Sequence, residues 1–459
     1  MPAAPLTIVV GAGISGLTCA YALKKSGQNV LLLESSPRSG GVIQSVHQDG
    51  FLFELGPQSF SSTPELADLC DELKLTSDVL EAPHGAPRYV LIDGTLVNVP
   101  LSPAFLTSGL LSWGTKFSFV YDVLGKTSPP EAEESVAAFV RRKFSPQLLD
   151  RLIAPFVSGI YAGDPEQLSL RAAFPKLYEA EKSAGSVIRG LLKTGVKTGQ
   201  QTLSRPTTLP KSRPGLLSFK AGNEALVNTL AKALGPALRC DVKISDLRQT
   251  GGTFRLSAQS PFGPQEYSCD RLVLATPTTA TGKMLQGIAP SAAAALKAIP
   301  YASVAVVSLA YQRKNVGHSL NGFGFLAPRS SGIRTLGSVW NSSLFPGRAS
   351  QDHVLLTNFI GGATDPDAAT LTTDELQALV HQEIAPILKI SGDPTASHVT
   401  RYSTAIPQYN LGHLDRLKTL HESVASIPGL RLIGNYWKGP SIGACVEHAL
   451  TVAEEIRIG

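Results

Sequence analysis

The chain has 459 residues, of which 43% are apolar and 17% charged, so it can bury a large core and is too long for one ordinary domain. A net charge of +5 is too mild for extensive nucleic-acid binding and suits an anionic ligand or a lipid surface. The five cysteines, Cys19, Cys70, Cys240, Cys269 and Cys445, show no CxxC spacing and no cluster with histidines, so neither a disulfide framework nor a metal site is expected.

The apolar run Leu6 to Leu23, "LTIVVGAGISGLTCAYAL", has the length of a membrane span or signal peptide, but three glycines interrupt it and no basic flank precedes it. It divides into a buried strand, a GxGxxG turn at Gly11, Gly13 and Gly16, and a helix ending near Gly27. The first glycine permits a tight turn, the second lets backbone approach a pyrophosphate, and the third allows close helix packing. A second strand, "NVLLLE", ends in Glu34, placed to accept hydrogen bonds from a ribose 2′-hydroxyl. This is the entry to a dinucleotide site. No signal or transit peptide is expected, and the protein should be cytoplasmic or peripheral to a bacterial inner membrane.

Next, Gly40-Gly41 precede two strands joined at "HQDG", and Arg38 beside them is a candidate phosphate contact or an ordinary solvated arginine. The pattern predicts a helix over 63–80 and a hairpin over 88–100 turning at Asp93-Gly94. From Pro103 to Lys193 the spacing is helical. Within it Phe105, Leu110, Trp113, Phe117 and Phe119 form an aromatic-rich face, for which core packing is favoured over shallow membrane insertion. The segment 193–213, basic and without acidic residues, reads as a loop.

Strand and helix patterns then resume: "FKAGNEALVNTLAKALG" is a capped helix, "LRCDVKISDLRQT" a strand and turn, and "DRLVLATP", containing Ala275 and Thr276, a strand running into a proline turn. "YASVAVVSLAY", from Tyr301, reads as a central strand, and strands dominate from Ala302 to Ile360. The last segment reads as strand, glycine-rich turn and closing helix. A chain that begins and ends with nucleotide-type units describes a discontinuous domain.

Read in order, "VVGAGISGL", "LLLESSPRSGG", "FELGPQSF", "GIYAGDPEQLSLRAAFP", "GFGFLAP" and "IPQYNLGHLDRL" strongly resemble the FAD-dependent, oxygen-dependent protoporphyrinogen oxidases of haem and chlorophyll synthesis. The resemblance covers nearly the whole chain. It implies an α/β (α+β), amine-oxidase-like plan: a discontinuous Rossmann-like FAD domain (1–85, 214–277, 406–459), an antiparallel-sheet substrate domain (86–102, 278–405) and a helical membrane-associated domain (103–213).

By position, the resemblance places Gly11, Gly13, Ile14, Ser15, Gly16, Glu34, Ser35, Arg38, Gly40 and Gly41 at the adenosine and pyrophosphate, Val242 at the adenine, and Gly434, Asn435, Ile442 and Gly443 near the flavin ring. Gly56, Pro57, Gln58, Ser59, Ala275 and Thr276 complete the cofactor set. Ala444 departs from the family, which often has Asp there, and no cysteine has the context for covalent flavin attachment, so noncovalent FAD is expected. Arg88, by itself a surface arginine at a hairpin start, takes the place of the propionate-binding arginine. Gly159 would offer a carbonyl to a pyrrole N–H, and Phe323, Gly324, Leu326, Phe359 and Ile360 would wall the macrocycle.

The implied reaction is six-electron oxidation of protoporphyrinogen IX in three cycles, each passing hydride to flavin and reducing O2 to H2O2. Coproporphyrinogen III oxidation and flavin amine oxidation are the alternatives. No catalytic acid or base stands out: Asp164 reads as a cap or turn and His413 as a structural hydrogen-bonder. The partners implied are porphyrinogen, O2, a membrane surface, ferrochelatase and a second copy of the chain.

Overall fold

The computed structural model describes residues 5–100, 109–200 and 215–458, with side chains described to Lys193 in the helix Val187–Gln200. Its first layer is a five-stranded parallel sheet, in the order Leu238–Arg239, Asn29–Leu33, Leu6–Val10, Arg271–Leu274, Leu430–Leu432. Its strands come from three separate stretches of chain. Parallel strands buried on both faces require continuous apolar runs, which is why "TIVV", "VLLL" and "RLVL" read as they do. The helices Ile14–Lys25 and Ile442–Ile458 pack together against one face. The fold is therefore the expected discontinuous one.

The second large sheet has seven strands, ordered Ala396–Pro407, Tyr301–Gln312, His353–Gly361, Thr335–Val339, Gly324–Leu326, Arg88–Ile92 and Thr95–Asn98. Tyr301–Gln312 is paired on both sides and lies next to the edge rather than at the centre. The pairing is antiparallel except where Gly324–Leu326 runs parallel to Arg88–Ile92. That junction stitches the early hairpin to the later strands. One face packs on the helix Thr373–Leu388.

Three predicted elements are corrected. The helix predicted over 63–80 is Pro64–Glu72, capped by Thr63, and residues Val79–Glu81 are a strand because Leu216–Phe219 pairs with them. The helix Glu224–Leu234 has no side-chain cap, since Asn223 donates instead to the Pro57 carbonyl and accepts from Ser218. Residues 193–200, read as loop, continue the helix Val187–Gln200.

The segment after residue 109 is helical as expected, but its aromatic face is not core. Leu110 is buried and Phe119 packs on Phe144, whereas Trp113 is 73% and Phe117 57% exposed. Val120, Tyr121 and Leu124 join them on the open side of the helix Trp113–Leu124. Phe105, Arg205, Lys211 and Arg213 and the side chain of Lys197 lie outside the described residues. The helix is held from beneath by polar groups: buried Asp122 pairs with Lys143 at 2.6 Å and accepts from the Ile188 N–H and Ser186 hydroxyl. Among the described residues no helix is long and apolar enough to cross a membrane.

Candidate functional site

At the C-terminal end of the middle strand of the parallel sheet the three motif glycines do different work. A Cβ on Gly11, at φ +100°, would lie 2.8 Å from Thr276 Cγ2, and one on Gly16 only 1.9 Å from the Gly11 carbonyl oxygen. Both are required by the protein's own packing. Gly13 is different: its backbone is extended and a Cβ there would meet nothing within 4 Å. The helix Ile14–Lys25 starts at that open spot with no capping side chain, so its first N–H groups, those of Ile14 and Ser15 among them, face a space suited to an anion.

Glu34 is held beside this loop. Its carboxylate accepts from the Ala12 N–H at 2.7 Å, from the Ser36 N–H at 2.9 Å and from the Ser35 hydroxyl at 3.2 Å. Val242 lies against the same residue, donating its N–H to the Glu34 carbonyl. Ala275 and Thr276 follow the Arg271–Leu274 strand and border Gly11. Gly40 donates to the Ala12 carbonyl, and a Cβ on Gly41 would lie 3.3 Å from Gly13 Cα. Arg38 donates to the carbonyls of Gly41 and Ser39, so its fork shapes the glycine loop.

The closing segment arrives alongside. Ile433 donates to the Leu274 carbonyl, which carries Gly434 and Asn435 to the end of the strand before Ala275. The Tyr409 hydroxyl donates to the Asn435 carbonyl, and His413 Nε2 bonds the Tyr436 carbonyl at 3.0 Å with its ring stacked on Tyr409, centroids 4.2 Å apart. His413 is thus the expected structural hydrogen-bonder, and Asp164 makes the expected turn by accepting from the Glu166 N–H. Ile442 and Gly443 open the last helix, where a Cβ on Gly443 would press on Thr63. Burial pushes the Cys445 thiol up to about 11, against a weaker opposing pull from Ser15.

Between these ends runs the 56–59 segment. A Cβ on Gly56 would collide with the Val42 carbonyl, Pro57 accepts from Asn223, and Ser59 is half-buried. The Gln58 amide is spent inside the protein: it donates to the Glu54 and Gly56 carbonyls and accepts from Asn341.

The seven-stranded sheet supplies a second wall. Register sets Arg88 opposite Gly324, Leu326 opposite Gly337, and Gly337 opposite Phe359, so Arg88, Leu326 and Phe359 share one face. The Arg88 guanidinium lies over the Phe323 ring, 5.6 Å from its centroid. Ile360, expected in the same wall, is fully buried on the opposite face among the side chains that meet Thr373–Leu388. Strand alternation is the reason: consecutive residues cannot line one cavity. Across from the wall, the helix Ala154–Tyr161 comes so close that a Cβ on Gly159 would sit 2.7 Å from Leu326 Cδ2. Its exposed Phe156 and Ile160 flank Gly159, and sequence reasoning missed both; their i, i+4 apolar spacing was the available signal.

Residues 14–457 match the model of the flavin containing amine oxidoreductases, and the chain belongs to that family. It is a flavin-dependent oxidoreductase with FAD as cofactor. Among curated proteins it is similar to the chloroplastic protoporphyrinogen oxidase of Nicotiana tabacum, 36% identical over 99% of this chain and 86% of that one. It is also similar to the coproporphyrinogen III oxidase of Bacillus subtilis, 29% identical over 96% and 95% of the two chains. A crystal structure from Exiguobacterium sp. 255-15 superposes with a TM-score of 0.81 at 25% identity over 99% of both chains. A putrescine oxidase structure, at 16% identity and a TM-score of 0.72, shares the fold.

Proposed function

We propose that this protein removes six electrons from protoporphyrinogen IX, giving protoporphyrin IX, and reduces three O2 to H2O2. The observation that carries the reading is an apolar face of Leu326 and Phe359 against which the Gly159 helix packs, with the Arg88 guanidinium over the Phe323 ring beside it. A flat macrocycle with carboxylates on one edge needs such an apolar face with a guanidinium beside it. The similarity to plant protoporphyrinogen oxidases over almost the whole chain supports it.

In this reading Gly13 and the helix start at Ile14 hold the pyrophosphate, Glu34 the ribose, and Gly434, Asn435, Ile442 and Gly443 border the flavin ring. FAD, when bound, accepts hydride and delivers the electrons to O2. Arg88 anchors a propionate, the Gly159 carbonyl accepts from a pyrrole N–H, and Phe323, Leu326 and Phe359 keep water from the disc. Residues 1–85, 214–277 and 406–459 form the cofactor unit, with the substrate unit at 86–102 and 278–405. Trp113, Phe117, Val120, Tyr121 and Leu124 seat the 103–213 unit in a bilayer interface, where a poorly soluble substrate partitions. Ferrochelatase and a second copy of the chain are its protein partners on this reading; co-purification and light scattering test them.

Anaerobic mixing with each porphyrinogen tests the substrate. Protoporphyrinogen IX should bleach the flavin rapidly and coproporphyrinogen III slowly. The reverse order moves the protein to the coproporphyrinogen oxidases, and no bleaching by either removes porphyrinogen as its substrate.

A further inference from the structure

A buried polar bridge joins the cofactor part to the substrate sheet, and nothing in the proposed chemistry uses it. Arg348, in the turn before the strand His353–Gly361, is fully buried, as is Glu54 at the end of the strand Phe51–Glu54. Their charged atoms are 3.5 Å apart. Arg348 Nη2 also donates to the Ser218 hydroxyl and, at 3.1 Å, to the Phe219 carbonyl, while the Arg348 carbonyl accepts from the Leu52 N–H at 3.0 Å. A second bridge runs parallel: Asn341 donates to Gln58 at 2.7 Å.

This is a costly way to join two units. Arg348 Nε and Nη1 have no protein acceptor, and a buried ion pair is often no more stabilising than apolar residues of the same volume. What it does supply is direction. Glu54 is fixed on its other side by the Asn223 N–H at 2.8 Å and the Ser45 hydroxyl at 2.7 Å, so the carboxylate has one orientation and Arg348 one place to reach it. On the substrate side the guanidinium lies over Phe345, 5.5 Å from the ring centroid, and Phe345 shares one apolar cluster with Phe323 and Val339. Phe323 in turn carries Arg88. A continuous series of packed groups therefore runs from the 54–58 segment to the candidate propionate anchor.

We propose that Arg348 is a positioning residue: held by Glu54, it sets the placement of the Phe323 and Arg88 wall relative to the flavin. The proposal rests on the porphyrinogen reading for its kinetic test alone. Single variants Arg348→Met and Glu54→Gln each leave a buried charge unpaired and should lose flavin and thermal stability. The informative protein is the double variant Glu54→Gln, Arg348→Met, which removes both charges and should retain flavin.

In that double variant, bleaching by saturating protoporphyrinogen IX should slow by about tenfold or more, because a displaced wall misaligns the reacting carbon. Reoxidation by O2 after dithionite reduction should keep its wild-type rate. The visible circular dichroism of the bound flavin should change. Arg348→Lys, which keeps the charge without the fork, should recover only part of the bleaching rate. A double variant with wild-type dichroism and wild-type bleaching overturns the proposal. If protoporphyrinogen IX fails to bleach even the unmodified protein, the substrate reading falls, and the dichroism comparison still decides the role of Arg348.

Discussion

Arg88 opens a strand and Phe323 immediately precedes another that is remote in sequence, yet the guanidinium sits over the ring, 5.6 Å from its centroid. Arg88→Ala should lower kcat/KM by about 30-fold, on the order of 2 kcal/mol, with flavin retained. Arg88→Lys should recover only part of that, because an ammonium cannot bind a carboxylate bidentately. Steady-state kinetics with protoporphyrinogen IX check this, and unchanged kinetics in Arg88→Ala would show that the residue is a surface cation.

Two glycines of one motif should fail in different ways. Gly13→Val should abolish flavin binding while the apoprotein keeps its fold, since the added side chain meets only open space in the protein. Gly16→Ala should instead cost the fold, because its Cβ collides with the Gly11 carbonyl. Flavin absorbance and thermal melts separate the two outcomes. Denaturing the wild-type protein should release all the FAD, in keeping with a Cys445 thiol that burial keeps protonated.

Trp113 and Phe117 make the membrane reading measurable. The intact protein should float with anionic liposomes at low salt, and replacing both residues with serine should leave it in the soluble fraction. Added salt should weaken binding, since Lys116, whose ammonium lies over the Trp113 ring, is drawn to anionic head groups by an attraction that salt screens. An intact protein that never floats would assign the face to a subunit contact.

Acid should loosen the Tyr409–His413 stack. Burial holds the His413 imidazole down to about 4 from an ordinary 6.5, against the opposing pull of the Tyr436 carbonyl. Between those values the unfolded chain binds a proton that the native state refuses. Stability should therefore fall as pH drops from 6.5 towards 4 and flatten below it, by about 3 kcal/mol from this residue. Thermal midpoints across that range should fall less in His413→Gln, and equal slopes would show that His413 is not the protected group.

The nucleotide entry was legible because its determinants lie within a few residues of one another. A β-branched strand, a turn only glycine can make and a capless helix start are local facts, and Glu34 follows at the end of the next strand. The hairpin turns were equally local: Asp49-Gly50 and Asp93-Gly94 adopt the paired positive φ values that their residue types favour. The resemblance carried the rest of the cofactor set by order and spacing.

Only the tertiary structure decided what covers a face and which groups meet across the chain. Periodicity marks Trp113 and Phe117 as one face of a helix but cannot say whether protein or solvent lies against it. Phe359 and Ile360 are equally apolar, and only strand pairing sets them on opposite faces of the sheet, with Ile360 in the core. Gln58 and Asn341 are separated by 283 positions, and Glu54 finds Arg348 at a similar remove. Such polar partners have no sequence signature, because burial fixes their meeting and local propensity does not.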